Sequence, residues 1–453
     1  MRSPVSRFLS ALTIVFAVAC HSAPPPTVPP PPPLSDSATA ALQWVQPHAE
    51  EFAIADSVPS AGERARLVSL VGDARIIGVS ELTEGTRELP NIIRRMMLSL
   101  GDSAGLRGLA IQAPMPEALE VDRFVRSGVG DPRRLLQTLG SWRWENREML
   151  AVVNALRTWN RTHPADKQIG FYGFEMPTAA YAVRVVTGLS DSVTGSSLKA
   201  WLVREYGCVA MSEGAHWGLE GRTSDSTFWN RCGTVANAGV DSIVALRARL
   251  GPSARAAADV AFAEQMARLI QHHVTLSLRH TSRHDSNAEH LLYVANGLGR
   301  DAKLLAWGGD VEMGRLTLDK TTVQTGVPLG KRLGELYRPI GFVFGDGMVR
   351  TRRASSGRGG APAGLSDIMI AQPLQNTYED VLIRVAKGAY WLDARDLPAA
   401  SNIGGAWLRG PRNARLVTDV YIPDAPELTE TPVELPAFFD ALVYVRHVTP
   451  ARQ

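Results

Sequence analysis

Between Arg75 and Glu88 the chain reads RIIGVSELTEGTRE, and this segment limits the possible folds more than any other. The β-branched run Ile76, Ile77 and Val79 predicts a buried strand that breaks at Ser80 into a polar turn, with a helix after it. A strand ending in a polar turn at a helix N-terminus is a unit of an open α/β sheet, and such sheets place their chemistry at the carboxyl ends of the strands. Glu81, Glu84 and Glu88 follow at spacings of three and four, which puts them on one face if the turn is helical. Mutually repelling acids crowded at a strand end are a poor device for stability alone, so Glu81 and Glu84 are candidate catalytic groups.

Further strands are expected at 106–112, 168–174, 302–307, 340–344 and 441–445, alternating with helices at 88–100, from Pro114 onward and at 147–160. That alternation predicts an α/β domain: a mixed or mostly parallel central sheet flanked by helices. Residues from about 178 to 290 read as a helical insertion, with a polar loop at Trp217–Cys232. The segment 354–364, rich in Gly, Ser and Ala, reads as a loop.

With 453 residues, 45% of them hydrophobic, the chain can bury a sizeable core. A net charge of +3 and the lack of a basic cluster interleaved with aromatics argue against a nucleic-acid partner. The N-terminus carries Arg2 and Arg7, then an apolar run from Phe8 to Ala19 that is too short to span a membrane as a mature helix. Ala17-Val18-Ala19-Cys20 looks like a bacterial lipobox, which predicts a lipoprotein signal peptide over 1–20 and lipidation of Cys20. The Pro-rich stretch from Pro24 to Pro33 suits a tether, so 21–37 is read as a linker and 38–453 as the folded domain. The expected location is the cell envelope, exported and held to a membrane by lipid. In that oxidising compartment Cys208 and Cys232 are expected to pair.

The segment from Ser80 to Leu89 also resembles the signature Gly-Glu-x-x-His-Gly-Thr-x-Glu-Phe of the erythromycin esterase family, with Ser80 in place of the leading glycine and Leu89 in place of the phenylalanine. Glu81, Gly85, Thr86 and Glu88 fit in register. Further landmarks follow in order: Leu109–Ala113, Pro116–Val125, Trp142-Arg143-Trp144 with Glu148, Phe171–Glu175, Ser286–His290, Ile340–Gly345 and Phe439–Leu442. The resemblance covers about Ala38 to Ala451 and implies that family's α/β fold. It also implies a histidine base on the first loop, where this chain has Glu84, and a later histidine pair, where it has Gly309 and Glu312. The family asparagine between them falls on Asp310, and the acid ending the second strand falls on Gln112. The family arginine falls at Ile93, one position from Arg94.

Imidazole has a pKa near the working pH, whereas carboxylate normally does not and glutamine cannot take a proton at all. The family's route is therefore replaced here, and two readings stand. In the first, the chain is a divergent hydrolase of an ester or lactone. Glu81, Glu84, Asp310 and Glu312 gather with His284, and either mutual repulsion raises one carboxylate into a usable base or the cluster holds a divalent cation. In the second, the chain is a catalytically inactive binding protein for a small molecule. Glu88, Gln112, Trp142, Trp144 and Glu289 are candidate substrate-binding residues under either reading. Packing, capping and ion pairing compete for each of them: Glu88 and Glu289 with nearby arginines, the tryptophans with the core.

Overall fold

The computed structural model describes residues 32–54, 59–210, 226–250, 256–279, 281–317, 324–356, 362–417 and 419–453. Cys20 and Trp217 lie outside these residues, as do the expected signal peptide and most of the linker. Leu34–Gln453 forms one compact unit.

In chain order the strands are β1 (Glu50–Glu51), β2 (Ile76–Glu81), β3 (Leu106–Pro114), β4 (Gly170–Glu175), β5 (Lys303–Gly309), β6 (Tyr337–Arg353), β7 (Leu365–Ile370), β8 (Ala389–Asp393), β9 (Arg412–Arg415), β10 (Val420–Tyr421), β11 (Glu430–Val433) and β12 (Ala441–Val448). The main sheet runs β1-β8-β12-β6-β2-β5-β3-β4, parallel from β12 to β4 and antiparallel at the β8 and β1 edge. β7 and β10 attach to the far end of β6, while β9 and β11 form a separate two-stranded ribbon.

The period-two alternation of each strand divides the core between the two faces. Ile77, Val79, Leu109, Ile111, Leu305, Trp307, Ile340 and Phe342 pack under the helices 61–71, 88–103, 115–127 and 147–162. Ile76, Ala110, Leu304 and Ala306 face the other way, into the helical insertion, where Trp229, Met266 and Leu291 cover them. All six residues of β2 are buried, as a central parallel strand requires.

Most of the expected elements are present. β6 is longer than its apolar run suggests, because it continues past the sheet into a hairpin with β7. β8 escapes a periodicity reading because all five of its residues are buried and no alternation shows. The loop expected at Trp217–Cys232 is corrected in part: a helix spans Ser226–Leu250 and includes Cys232. Cys208 and Cys232 are in hydrogen-bonding contact as thiols, not as the disulfide expected.

Candidate active site

β2 lies between β5 and β6, and its register aligns Glu81 with Gly309 and Phe342. Glu81 therefore leaves the sheet at the carboxyl end of the central strand pair, on the face of Trp307, with only 3% of its surface exposed. The turn after it is held by chain from far away. Val417 donates its N–H to the Leu82 carbonyl at 3.1 Å, and its carbonyl accepts from the Glu84 N–H at 2.9 Å. Gly85, at φ 85°, sits where any Cβ would collide with the Arg350 backbone, so this tight passage requires glycine. The turn presents Glu84 towards Arg143, whose Nε lies 3.2 Å from a carboxylate oxygen.

Arg143 is the residue that organises the cluster. It reaches across from the segment between the second and third parallel strands, and its guanidinium stacks 4.8 Å from the Trp144 ring. Trp144 in turn meets Trp307 edge-on at 4.9 Å and donates its indole N–H to the Gln112 carbonyl at 3.3 Å. The Gln112 side chain accepts from the Gly309 N–H at 2.9 Å and from Arg143 at 3.5 Å, and donates to Glu175 at 3.2 Å. Arg283 pairs with the same Glu175. Gln112 thus keeps a structural version of its place: it cannot move a proton, but it fixes Arg143 against the end of β5.

At Gly309 the cluster crowds any side chain added to the end of β5. A Cβ there would overlap a Glu84 carboxylate oxygen and lie 2.7 Å from Arg143 Nη2. The ion pair occupies that volume.

The next residue, Asp310, adopts φ 51°, one of two non-glycine positive values among the described residues. A branched-at-Cγ residue tolerates this conformation at a cost, and strain of that kind collects at functional sites. The Val311 N–H is turned towards the Asp310 carboxylate and favours its charged form, while Oδ1 is buried with no hydrogen-bond partner. Glu312 follows on the same turn, accepting from Thr325 and contacting His284 Nδ1 at 3.1 Å. His284 comes from the first turn of the helix Arg283–Leu298.

The electrostatics follow from this crowding. Burial pushes Glu81 up to about 8; Arg143 opposes the rise and Glu84 adds to it. The Trp307 indole N–H is turned towards Glu81 and also lowers it, without closing a hydrogen bond of ordinary geometry. Burial raises Glu84 as well, against Arg143 and with the repulsion of Asp310 and Asp419. Asp310 is raised to about 6, again chiefly by burial. Glu81 is thus mainly a neutral acid near pH 7, and Asp310 mainly a carboxylate. Among the described residues no three His, Cys, Asp or Glu side chains converge as metal ligands; the positive charge here is a guanidinium.

The expected site residues divide into two sets. Glu81, Glu84, Asp310, Glu312, His284 and Gln112 come together. Trp142 stands at the edge, half-buried, donating its indole N–H to Asp419 at 3.0 Å. Trp144 is core, 1% exposed, and supports Arg143 from behind. Glu88 turns away to accept the N–H and hydroxyl of Thr449 at 3.0 and 2.6 Å, which ties the helix 88–103 to the chain just past β12. Glu289 pairs with Arg332 at 2.8 Å, beyond the turn of its helix that carries His284. Glu88 and Glu289 thus engage Thr449 and Arg332 and are not brought into the cluster. Arg143 was missed, although an arginine held between two tryptophans was the signal that could have found it. Glu175 and Asp419 were missed as well.

A sequence profile described as Erythromycin esterase matches residues 102–448. The chain belongs to the erythromycin esterase family. Its fold is similar to three solved structures that also carry this architecture. One is described as a succinoglycan biosynthesis protein, with TM-score 0.71, 17% identity, and coverage of 92% of this chain and 98% of that one. A Bacillus cereus protein gives TM-score 0.70 at 20% identity, with the same coverage. A variant of the erythromycin esterase EreC in its open conformation gives TM-score 0.56 at 14% identity, over 89% and 98%. As an erythromycin esterase relative, this chain has Glu84 and Gly309 where the resemblance implies histidines. The two departures form one spatial unit, because the glycine makes room for the Glu84–Arg143 pair.

Proposed function

We propose that the protein is a hydrolase of an ester or lactone in which carboxyl groups replace imidazole as the proton carriers. The observation that carries this reading is Asp310: a backbone-strained aspartate beside a buried guanidinium, with one carboxylate oxygen that accepts from nothing. Asp310 takes a proton from water as the water oxygen attacks the carbonyl carbon. The oxyanion that forms is stabilised by Arg143, which Glu84 and Gln112 hold in place. The intermediate collapses, the carbon–oxygen bond breaks, and the leaving alkoxide takes the proton of Glu81. Two carboxyl groups set on opposite sides of neutrality by their surroundings divide the acid and base roles. His284 and Glu312 border the site and order its far wall. Exchange with solvent then returns a proton to Glu81 and removes one from Asp310.

The test is a panel of activated esters and lactones offered to the wild type and to Asp310→Asn. Turnover by the wild type, lost in the variant without loss of folding, supports the assignment; equal turnover refutes it. The Glu84–Arg143 pair favours a second reading, since it neutralises the guanidinium and fills the space before β5. A wild type that binds small molecules but turns over none of the panel would support that inactive, ligand-binding role. We also propose that the protein is exported and lipid-anchored, on the basic start, short apolar run and lipobox ending at Cys20. Mass analysis of the mature N-terminus from membranes tests it: an unmodified Cys20 would refute the anchor.

A further inference from the structure

We infer that Arg415, with Glu379 and Glu430, is a positioning unit that sets the Leu82–Glu84 turn from beneath. Arg415 is 6% exposed, and its guanidinium ties separate elements together. Nη1 donates to the Gly345 carbonyl of β6 at 2.9 Å, and Nη2 to the Ala371 carbonyl after β7 at 3.3 Å. Nε lies 3.9 Å from Glu430 of β11. The Arg415 N–H donates to Glu379 at 2.9 Å, so the backbone of β9 is fixed as well as the side chain. Phe344 lies 5.6 Å below the guanidinium.

This anchoring passes directly to the site. Two residues beyond Arg415, Val417 makes both backbone hydrogen bonds that hold Leu82 and Glu84, and Asp419 then accepts from Trp142. Leu82 and Thr83 line a small void together with Phe342, Val343, Phe344, Glu379 and Arg415, so the turn and the charged group border the same space. A buried arginine–carboxylate group adds little stability over apolar residues of similar volume, but it fixes geometry. Its placement under the one turn that aims Glu84 at Arg143 gives it that task.

The experiment is hydrogen exchange read by mass spectrometry on the full chain, comparing wild type with Arg415→Met. If that variant fails to fold, Arg415→Met with Glu379→Gln and Glu430→Gln, which leaves no unpaired buried charge, replaces it. The expected result is exchange faster by about tenfold or more in peptides covering 80–86 and 412–417, with β3 and β5 unchanged. Unchanged exchange at 80–86, or a uniform loss of protection across the sheet, overturns the inference. A second arm rests on the hydrolytic reading: kcat for an activated ester falls about tenfold while KM changes less than about twofold. A KM change without a kcat change counts against positioning. A wild type without turnover defeats the hydrolytic reading alone, because the exchange result still decides the role of Arg415.

Discussion

Two groups of buried acids, each gathered on one arginine, adjoin the Leu82–Glu84 turn, and they differ in what the arginine touches. Arg415 gives its guanidinium to backbone carbonyls, and the Glu379 beside it accepts from a backbone N–H. Arg143 instead faces side chains: Glu84, Gln112 and the ring of Trp144. Burial raises acids in both groups, with Glu430 at about 7 and Glu81 at about 8. A raised carboxyl group therefore does not by itself mark a reactive site. What separates the two is the strained backbone of Asp310 at a parallel strand end, with His284 and Glu312 beside it. The lesson is that backbone conformation and position in the sheet tell the two clusters apart where acidity does not.

The largest effect that could break this contrast is on rate. Asp310→Asn should lower turnover of a susceptible ester by about 10²–10⁴-fold, measured as kcat, with circular dichroism unchanged. Glu430→Gln, at the other cluster, should leave the pH profile of the rate in place. Arg143→Met comes next. It strips the cation from Glu81 and Glu84 and should cost about 3–5 kcal/mol in urea unfolding near pH 8, and less near pH 5, where Glu81 is neutral.

The sequence disclosed the sheet well because β2, β3 and β5 are apolar runs bounded by clear turns. It also placed Glu81, Glu84, Asp310 and Glu312 together, because strand ends in a parallel sheet are spatial neighbours whatever their separation along the chain. Arg143 was not legible in the same way. It lies on no strand, and its role depends on a side chain crossing from one loop to another. Glu88 and Glu289 misled for the opposite reason: helical spacing puts Glu88 near the turn, but Thr449 claims it. Nor does local sequence show that β9, more than three hundred residues away, holds the turn.

Smaller effects sharpen the comparison. Gly309→Ala should destabilise by about 1–3 kcal/mol through collision with Glu84, and Glu84→Ala should relieve most of that loss in the double variant. Stability should also depend on pH in a direction set by the raised acids. Glu81 has an ordinary value of 4.5 and a folded value of about 8, so between these the folded chain holds a proton that the unfolded chain has released. Raising the pH through that window removes stability; Asp310 and Glu430 act in the same sense up to about 6 and about 7. Tm should therefore fall from about pH 5 to about pH 8, and Glu81→Gln should flatten the slope. Smallest of all, Glu289→Gln should change stability by less than about 1 kcal/mol and leave turnover untouched, as expected of a partly exposed pair with Arg332.

The bare backbone at Gly309 imposes an order on how this pocket can change. A bulkier residue there displaces the glutamate–guanidinium pair in front of it, and removing the glutamate leaves the guanidinium with Gln112, Glu81 and Asp310 as its polar neighbours. The two positions are thus coupled: what one can become depends on what the other has become.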